Sequence, residues 1–151
     1  MRKFVAVAVV GVAAWLAVAA VFAGTAQALD KNKVHRLIVQ LSDNDPKMFT
    51  QTLNNISNLT QEIGIDNIQI ELVAFGFGLD IFLKNSPLAA RLQSLHANGN
   101  LKYSICQNTM KGRKLTPADL LPADYIKDSF VPAGIVRVIE LQESGWSYIR
   151  S

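Results

Sequence analysis

Apolar positions follow two periods in the first half of the chain, one typical of strands and one typical of helices. The stretch VHRLIVQL at 34–41 is rich in β-branched and aliphatic residues and precedes a polar SDNDP turn, so it predicts a first strand. The next segment predicts a helix that is capped by Asp45, starts at Pro46 and stops at Gly64. Its apolar face repeats every three or four residues and consists of Phe49, Leu53, Ile56, Leu59 and Ile63.

A second strand and a second helix follow in the same manner. NIQIELVAF at 67–75 alternates apolar residues with polar ones, including Glu71, and ends at a GFG turn, which predicts a strand. A Ser-Pro pair at 86–87 repeats the cap signal, and Gly99 closes the helix that it begins. Residues 101–106 then predict a third strand.

The last third of the chain has a weaker pattern. Residues 107–128 are irregular, and a short strand is predicted within 127–131. The segment between Pro132 and Gly145 has strand-like residue types, but its 12 residues and its doublet spacing favour a helix. A closing strand is predicted at 146–149. Alternating strands and helices with short connections predict an α/β fold with a mostly parallel sheet that is covered on both faces.

The N-terminal segment has a different pattern from the rest. A basic Met-Arg-Lys start, an apolar run over 4–22 and an Ala-Gln-Ala ending at Ala28 predict a secretory signal peptide over 1–28. The mature protein is then a single domain at 29–151, located in the periplasm and with no membrane attachment once the signal is cleaved. The apolar run is also nearly long enough to cross a bilayer, so a retained N-terminal anchor is the alternative.

Charge argues against a polyanionic partner. The full chain has 15 basic and 12 acidic residues, but loss of Arg2 and Lys3 with the signal leaves 13 basic against 12 acidic. A domain this close to neutral offers no electrostatic attraction for nucleic acid or for an anionic membrane surface.

Cys106 is the only cysteine, so it cannot form a disulfide within the chain. It ends the third predicted strand, and ligand sites in open α/β sheets lie beyond the carboxyl ends of the strands. The polar turns after the first two strands are expected at the same edge. Nearby cations lower the pKa of a thiol, and Lys111, Arg113 and Lys114 follow closely in the sequence.

Two other interpretations of Cys106 stay open at this level. It fits a buried strand-end residue that behaves as a small hydrophobe beside a solvated basic loop. It also fits an intermolecular disulfide.

Other sequence features point to structure rather than to chemistry. His35 and His96 have no neighbouring ligand at metal-binding spacing, so no metal is predicted. Asp43 and Asp45 fit a turn and a helix cap. The chain has no complete dinucleotide fingerprint, phosphate loop or serine nucleophile elbow, and no cofactor is predicted.

Several segments together resemble the DsrE/DsrF-like family, and in particular its small exported single-domain members. They are LIVQLSDNDPKMFTQTLNNISNL, VAFGFGLDIF, CQNTM, DLLP and VPAGIVRVIELQESGWSYI, and they cover nearly all of the mature chain. The resemblance implies a three-layer α/β/α fold around a five-stranded, mostly parallel sheet, with assembly into a trimer or hexamer. It also implies that residues 135–144 form a helix.

The resemblance also implies a chemistry for Cys106, which matches the position of the cysteine that carries sulfur as a persulfide in sulfur-relay members. The leading hypothesis is a sulfur carrier or sulfurtransferase accessory in which Cys106 is the nucleophile. Lys111 or Arg113 would stabilise its thiolate, and Asn108 or Thr109 would hydrogen-bond to a bound sulfur species. Its partners would be a sulfur donor or acceptor protein and copies of itself. The alternative is a non-catalytic oligomeric binding module for a small ligand or a periplasmic protein.

Overall fold

Five parallel strands form a single sheet in the computed structural model, which describes residues 29–30 and 32–151. The strands lie in the order β4-β3-β2-β1-β5. They are β1 at His35–Leu41, β2 at Ile68–Ala74, β3 at Leu101–Cys106, β4 at Phe130–Val131 and β5 at Ser147–Arg150. The predicted five-stranded sheet is therefore confirmed. The predicted signal peptide at 1–28 lies outside the described residues.

Five α-helices connect the described strands. They are α1 at Pro46–Ile63, α2 at Ala89–Ala97, α3 at Gln107–Arg113, α4 at Ala123–Ile126 and α5 at Gly134–Glu143. Three 3₁₀ segments, at Ile65–Asn67, Gly76–Phe82 and Pro117–Asp119, complete the connections. None of the helices in the described part of the chain is long and apolar enough to cross a membrane.

The sheet separates two hydrophobic clusters, as the predicted α/β/α layering requires. The larger cluster joins the buried faces of α1 and α2 to one face of the sheet and includes Leu53, Leu92 and Leu72. The smaller cluster lies under α5, where Val138 and Leu141 pack on the opposite face of the sheet. Because strand side chains alternate between the two faces, neighbouring residues of one strand enter different clusters.

The predicted first helix is confirmed at both of its ends. The Asp45 carboxylate accepts a hydrogen bond from the Lys47 N–H at 2.9 Å, and Pro46 occupies the first turn. Gly64 ends the helix with a φ of 96°, in a region that side chains with a Cβ rarely adopt.

The prediction that residues 107–128 are irregular is wrong for Gln107–Arg113 and Ala123–Ile126, which are helical. Helix α3 begins directly after β3 and ends at Lys114, whose backbone is left-handed with a φ of 56°. At seven residues it is too short to show a periodic apolar face, and Met110 is its one buried residue. The second helix also starts later than predicted, because the Ser86 hydroxyl accepts a hydrogen bond from Leu88 N–H within a turn before α2.

The GFG turn lies unusually close to the end of β1. A Cβ added at Gly78 would lie 2.2 Å from the carbonyl oxygen of Leu41, whereas one added at Gly112 would meet nothing within 4 Å. Only a glycine at position 78 therefore allows the 3₁₀ segment to pack on β1 without moving the backbone.

This difference between two glycines predicts opposite effects of the same substitution. We expect Gly78→Ala to lower the free energy of unfolding by about 2 kcal/mol or more, because the added methyl must displace main-chain atoms. Gly112→Ala in α3 is the matched control and should be neutral or stabilising by up to about 1 kcal/mol. Urea titrations of both variants test this, and equal stability of the two would contradict the packing argument.

Candidate functional site

Cys106 lies at the junction of β3 and α3, where it serves as both the last residue of the strand and the cap of the helix. Its side chain is only 5% exposed. The Thr109 N–H donates to the Cys106 sulfur at 3.4 Å, in the manner of a helix cap. The thiol therefore takes the place of the oxygen that normally accepts this hydrogen bond at a helix start.

A second helix also directs its first turn at the thiol. Cys106 pairs with Val131 in the sheet, three residues before Gly134, so the Gly134 N–H at the start of α5 lies near the sulfur and lowers the pKa of the thiol. A Cβ at position 134 would lie 2.8 Å from the Phe75 ring, so a glycine lets α5 come this near to the carboxyl end of β2. Two helix starts thus converge on one sulfur atom, and each carries a partial positive charge.

The Thr109 hydroxyl has a defined orientation. Its oxygen accepts a hydrogen bond from the Gly76 N–H at 2.9 Å, which leaves its proton free to point to the Cys106 sulfur. Gly76 follows β2 with a φ of 57°. The loop after β2 therefore holds the hydroxyl that donates to the thiol at the end of β3.

These contacts set the protonation of the thiol. Burial raises the pKa of Cys106, but the Thr109 hydroxyl and the backbone N–H groups of Gly134, Thr109 and Asn108 together outweigh burial and lower the pKa below its usual value. The Asn108 N–H is shared with the carbonyl oxygen of Pro132, at 3.2 Å. The balance of donors favours the thiolate, which is the reactive form of a cysteine.

The basic residues of α3 have other contacts. Arg113 Nη2 lies 2.5 Å from Asp80 Oδ1, an ion pair without hydrogen-bond alignment, and Nη1 donates to the Gly76 carbonyl oxygen. The same guanidinium lies 5.7 Å from the centre of the Phe77 ring, and Lys111 is exposed. Among the described residues, neither cation contributes to the lowered pKa of Cys106. A role for them at the thiol therefore stays a prediction.

Part of this arrangement had no signal in the sequence. Asn108 or Thr109 was predicted to hydrogen-bond to a bound sulfur species, and that role stays a prediction. In the structure the Thr109 N–H donates to the Cys106 sulfur, and the Asn108 N–H donates to the Pro132 carbonyl oxygen. Gly76 and Gly134 were not predicted, since each acts through a main-chain N–H that any residue type carries. The clue in the sequence was Pro-Ala-Gly at 132–134, because a glycine at the first position of a helix indicates that another part of the chain lies close to the helix start.

An open groove of about 550 Å³ lies along β3 and α5, and its lining includes Glu71, Ser104 and Arg137. Ser104 and Cys106 are two residues apart on β3, so both project from the sheet face that α5 covers. Within the described residues, no group of His, Cys, Asp and Glu side chains is suited to hold a metal ion.

Solved structures share this fold. A protein of unknown function from Methanobacterium thermoautotrophicum aligns with a TM-score of 0.68 and 22% identity, over 78% of this chain and 99% of its own. A conserved protein of unknown function from Bacteroides thetaiotaomicron has a TM-score of 0.58 and 12% identity, over 83% of this chain and 100% of its own. The ychN protein from E. coli has a TM-score of 0.58 and 16% identity, over 78% and 99%. At these identities the likeness concerns the fold alone.

Sequence comparison leads to a family. No curated protein matches the chain. The model of the DsrE/DsrF-like family matches residues 42–150, which include all of the segments around Cys106 described above. That match spans more than half of the sequence and agrees with the parallel α/β/α fold. The chain therefore belongs to the DsrE/DsrF-like family.

Proposed function

We propose that this protein is a sulfur carrier that holds a sulfur atom on Cys106 as a persulfide. The observation that supports this most directly is the polar surrounding of the buried Cys106 sulfur, which accepts a hydrogen bond from the Thr109 N–H at 3.4 Å and whose thiol pKa is also lowered by the Thr109 hydroxyl and the Gly134 and Asn108 N–H groups. A cysteine that served only as core packing would need no such donors, because a neutral thiol is a weak acceptor. The same donors stabilise a negative charge, whether on a thiolate or on a persulfide.

The proposed reaction is a transfer of sulfane sulfur. The Cys106 thiolate attacks the terminal sulfur of a donor persulfide, a new S–S bond forms at Cys106, and the donor thiolate leaves with the electron pair of the broken S–S bond. No oxidant or reductant is consumed. Delivery to an acceptor thiolate is the reverse exchange, and the N–H groups of Gly134 and Thr109 stabilise the Cys106 thiolate as it leaves.

Other residues complete the proposal. The side chains of Asn108 and Thr109 hydrogen-bond to the bound sulfur species. Lys111 or Arg113, on the same helix, stabilises the thiolate, the role predicted from their sequence positions. The partner is a sulfur donor or acceptor protein outside the cytoplasm, because residues 1–28 have the pattern of a secretory signal.

A homo-oligomer is part of the proposal. Helix α5 carries three large apolar side chains, Ile135, Val136 and Ile139, that are each at least half exposed. They are neighbours on the outer face of one helix, and apolar patches of this kind mark contacts between proteins. A second copy of the chain would cover them in the trimer or hexamer.

A second function is favoured by a different observation. The groove of about 550 Å³ beside β3 is large enough for a small ligand, and the thiol is nearly buried. In this alternative the protein is a non-catalytic binding module for a small ligand or a periplasmic protein, and Cys106 contributes only packing.

Sulfur loading separates the two functions. After treatment of the mature protein with inorganic polysulfide, we expect the intact mass to rise by one sulfur atom, and dithiothreitol should reverse the gain. Cys106→Ser should gain nothing. If the wild-type mass stays unchanged while iodoacetamide modifies Cys106 only after unfolding, the carrier function is excluded and the binding module is favoured.

The Thr109 hydroxyl is expected to control the reactivity of the thiol. Because this donor lowers the pKa of Cys106, Thr109→Val should raise the midpoint of the pH dependence of Cys106 alkylation by roughly one pH unit. Less thiolate would then be present at neutral pH, and alkylation there would be several-fold slower. Thr50→Val, which removes an exposed hydroxyl on α1, is the matched control and should keep the wild-type midpoint. A shared midpoint for both variants would contradict the role of Thr109.

A substitution in the exposed apolar side chains of α5 tests oligomer formation. We expect the wild-type protein to elute as a trimer or hexamer in light-scattering chromatography and Val136→Glu to shift it to the monomer, because the charge would be buried in the contact. Gln142→Glu, exposed on the same helix, should leave the mass unchanged. A wild-type monomer would contradict the proposed assembly.

A further inference from the structure

Glu71 is a charged residue in the interior of the sheet. It lies on β2 and is 3% exposed, although its alternation with apolar neighbours in the sequence is typical of a solvent-facing position. Its Oε1 accepts hydrogen bonds from the Ser104 hydroxyl at 2.5 Å and from Arg137 Nε at 2.7 Å. Its Oε2 accepts from Arg137 Nη2 at 3.0 Å, so the guanidinium holds the carboxylate with two parallel bonds.

Stability alone does not explain this pair. Burial of the Glu71 carboxylate is costly, since its side chain is 3% exposed while that of Arg137 is 33% exposed, and apolar residues of the same volume often stabilise a core as well as a buried ion pair does. The rest of α5 already packs on the sheet through Val138 and Leu141. Apolar packing is non-directional, whereas a two-bond contact between guanidinium and carboxylate fixes both position and angle.

The pair joins the same elements that meet at the thiol. Arg137 follows Gly134 by three residues, about one helical turn, so the guanidinium and the Gly134 N–H belong to adjacent turns of α5. Ser104 precedes Cys106 by two residues on β3 and projects from the same sheet face. A displacement of α5 along the sheet would break the Arg137–Glu71 bonds and would also move the Gly134 N–H away from the sulfur.

We infer that Arg137 and Glu71 are positioning residues that fix α5 on the sheet so that the Gly134 N–H reaches the Cys106 sulfur. The inference rests on the proposed function for its purpose, since a positioned thiolate serves sulfur transfer. The positions of Arg137 and Glu71 relative to α5 and the sheet follow from the contacts described above, whatever the function of the thiol. Neither residue touches the reacting sulfur, so both act through Gly134.

Arg137→Lys is the most direct test, because it keeps every charge but removes the two-bond contact. The charged residues on the strands and helices that meet at Cys106 are Glu71, Lys102, Lys111, Arg113, Arg137, Glu140 and Glu143. None of them changes sign in this variant, so a changed midpoint reports geometry and not net charge. We expect the midpoint of the pH dependence of Cys106 alkylation to rise by roughly one pH unit.

Glu140→Gln is the matched control within the same ion-pair group. Glu140 accepts a hydrogen bond from Arg137 Nη1 at 3.2 Å, but its side chain is 57% exposed. Its removal should leave the midpoint at the wild-type value. A role in folding stability alone would lower the unfolding midpoint of Arg137→Lys and leave the titration of its folded thiol unchanged.

A double variant keeps the test decisive if Arg137→Lys does not fold. Glu71→Leu with Arg137→Met removes both charges together, leaves no buried unpaired charge and keeps the net charge. It should fold and show the raised midpoint, and a wild-type midpoint in this variant would overturn the inference. Sulfur loading is read separately by mass. A wild-type protein whose mass gains no sulfur would contradict the proposed function. The midpoints of Cys106 alkylation would still decide whether Arg137 and Glu71 position α5.

Discussion

The parallel direction of all five strands is the constraint on which the site depends. Every strand must be followed by a connection that returns to the opposite edge, so the carboxyl ends of β1, β2 and β3 share one edge of the sheet. The GFG loop after β2 and the cap of α3 after β3 are therefore neighbours, and Thr109 bonds to Gly76 across them. Gly76 and Thr109 are 33 residues apart in the sequence, so only the fold brings them together.

Two opposing effects, both of which come from the loss of water, act on the protonation of the thiol at this edge. Burial removes water and so disfavours the thiolate, but the same loss of water strengthens the hydrogen bonds that reach the sulfur. Donors from two helix starts and one hydroxyl decide the balance, and the pKa of Cys106 falls in spite of its burial. Backbone N–H groups are suited to this purpose because they are rigid, uncharged and already lack helical partners at a helix start.

The sequence predicted the frame of this site more completely than its chemistry. Strand β3 agrees with its predicted bounds because the alternation of apolar and polar residue types in LKYSIC ends at Cys106. Helix α3 was not predicted, since seven residues are too few for a periodic face and three of them, Asn108, Thr109 and Gly112, are weak helix formers. The cations after Cys106 are conspicuous in the sequence, yet Arg113 pairs with Asp80, a residue far away along the chain. Local charge patterns cannot reveal such a partner.

Different interactions fix the helices on the two faces of the sheet. On the face of α1 and α2, a large apolar cluster covers the strands, and its buried area determines how the helices sit. On the face of α5, the apolar cluster is small, and in the described part of the chain an open groove lies beside it. A helix held by so little apolar surface has few constraints against sliding, so a polar contact of fixed geometry has the most effect there. The one bidentate pair of arginine and buried carboxylate among the described residues lies on this face, on the helix that begins at the sulfur.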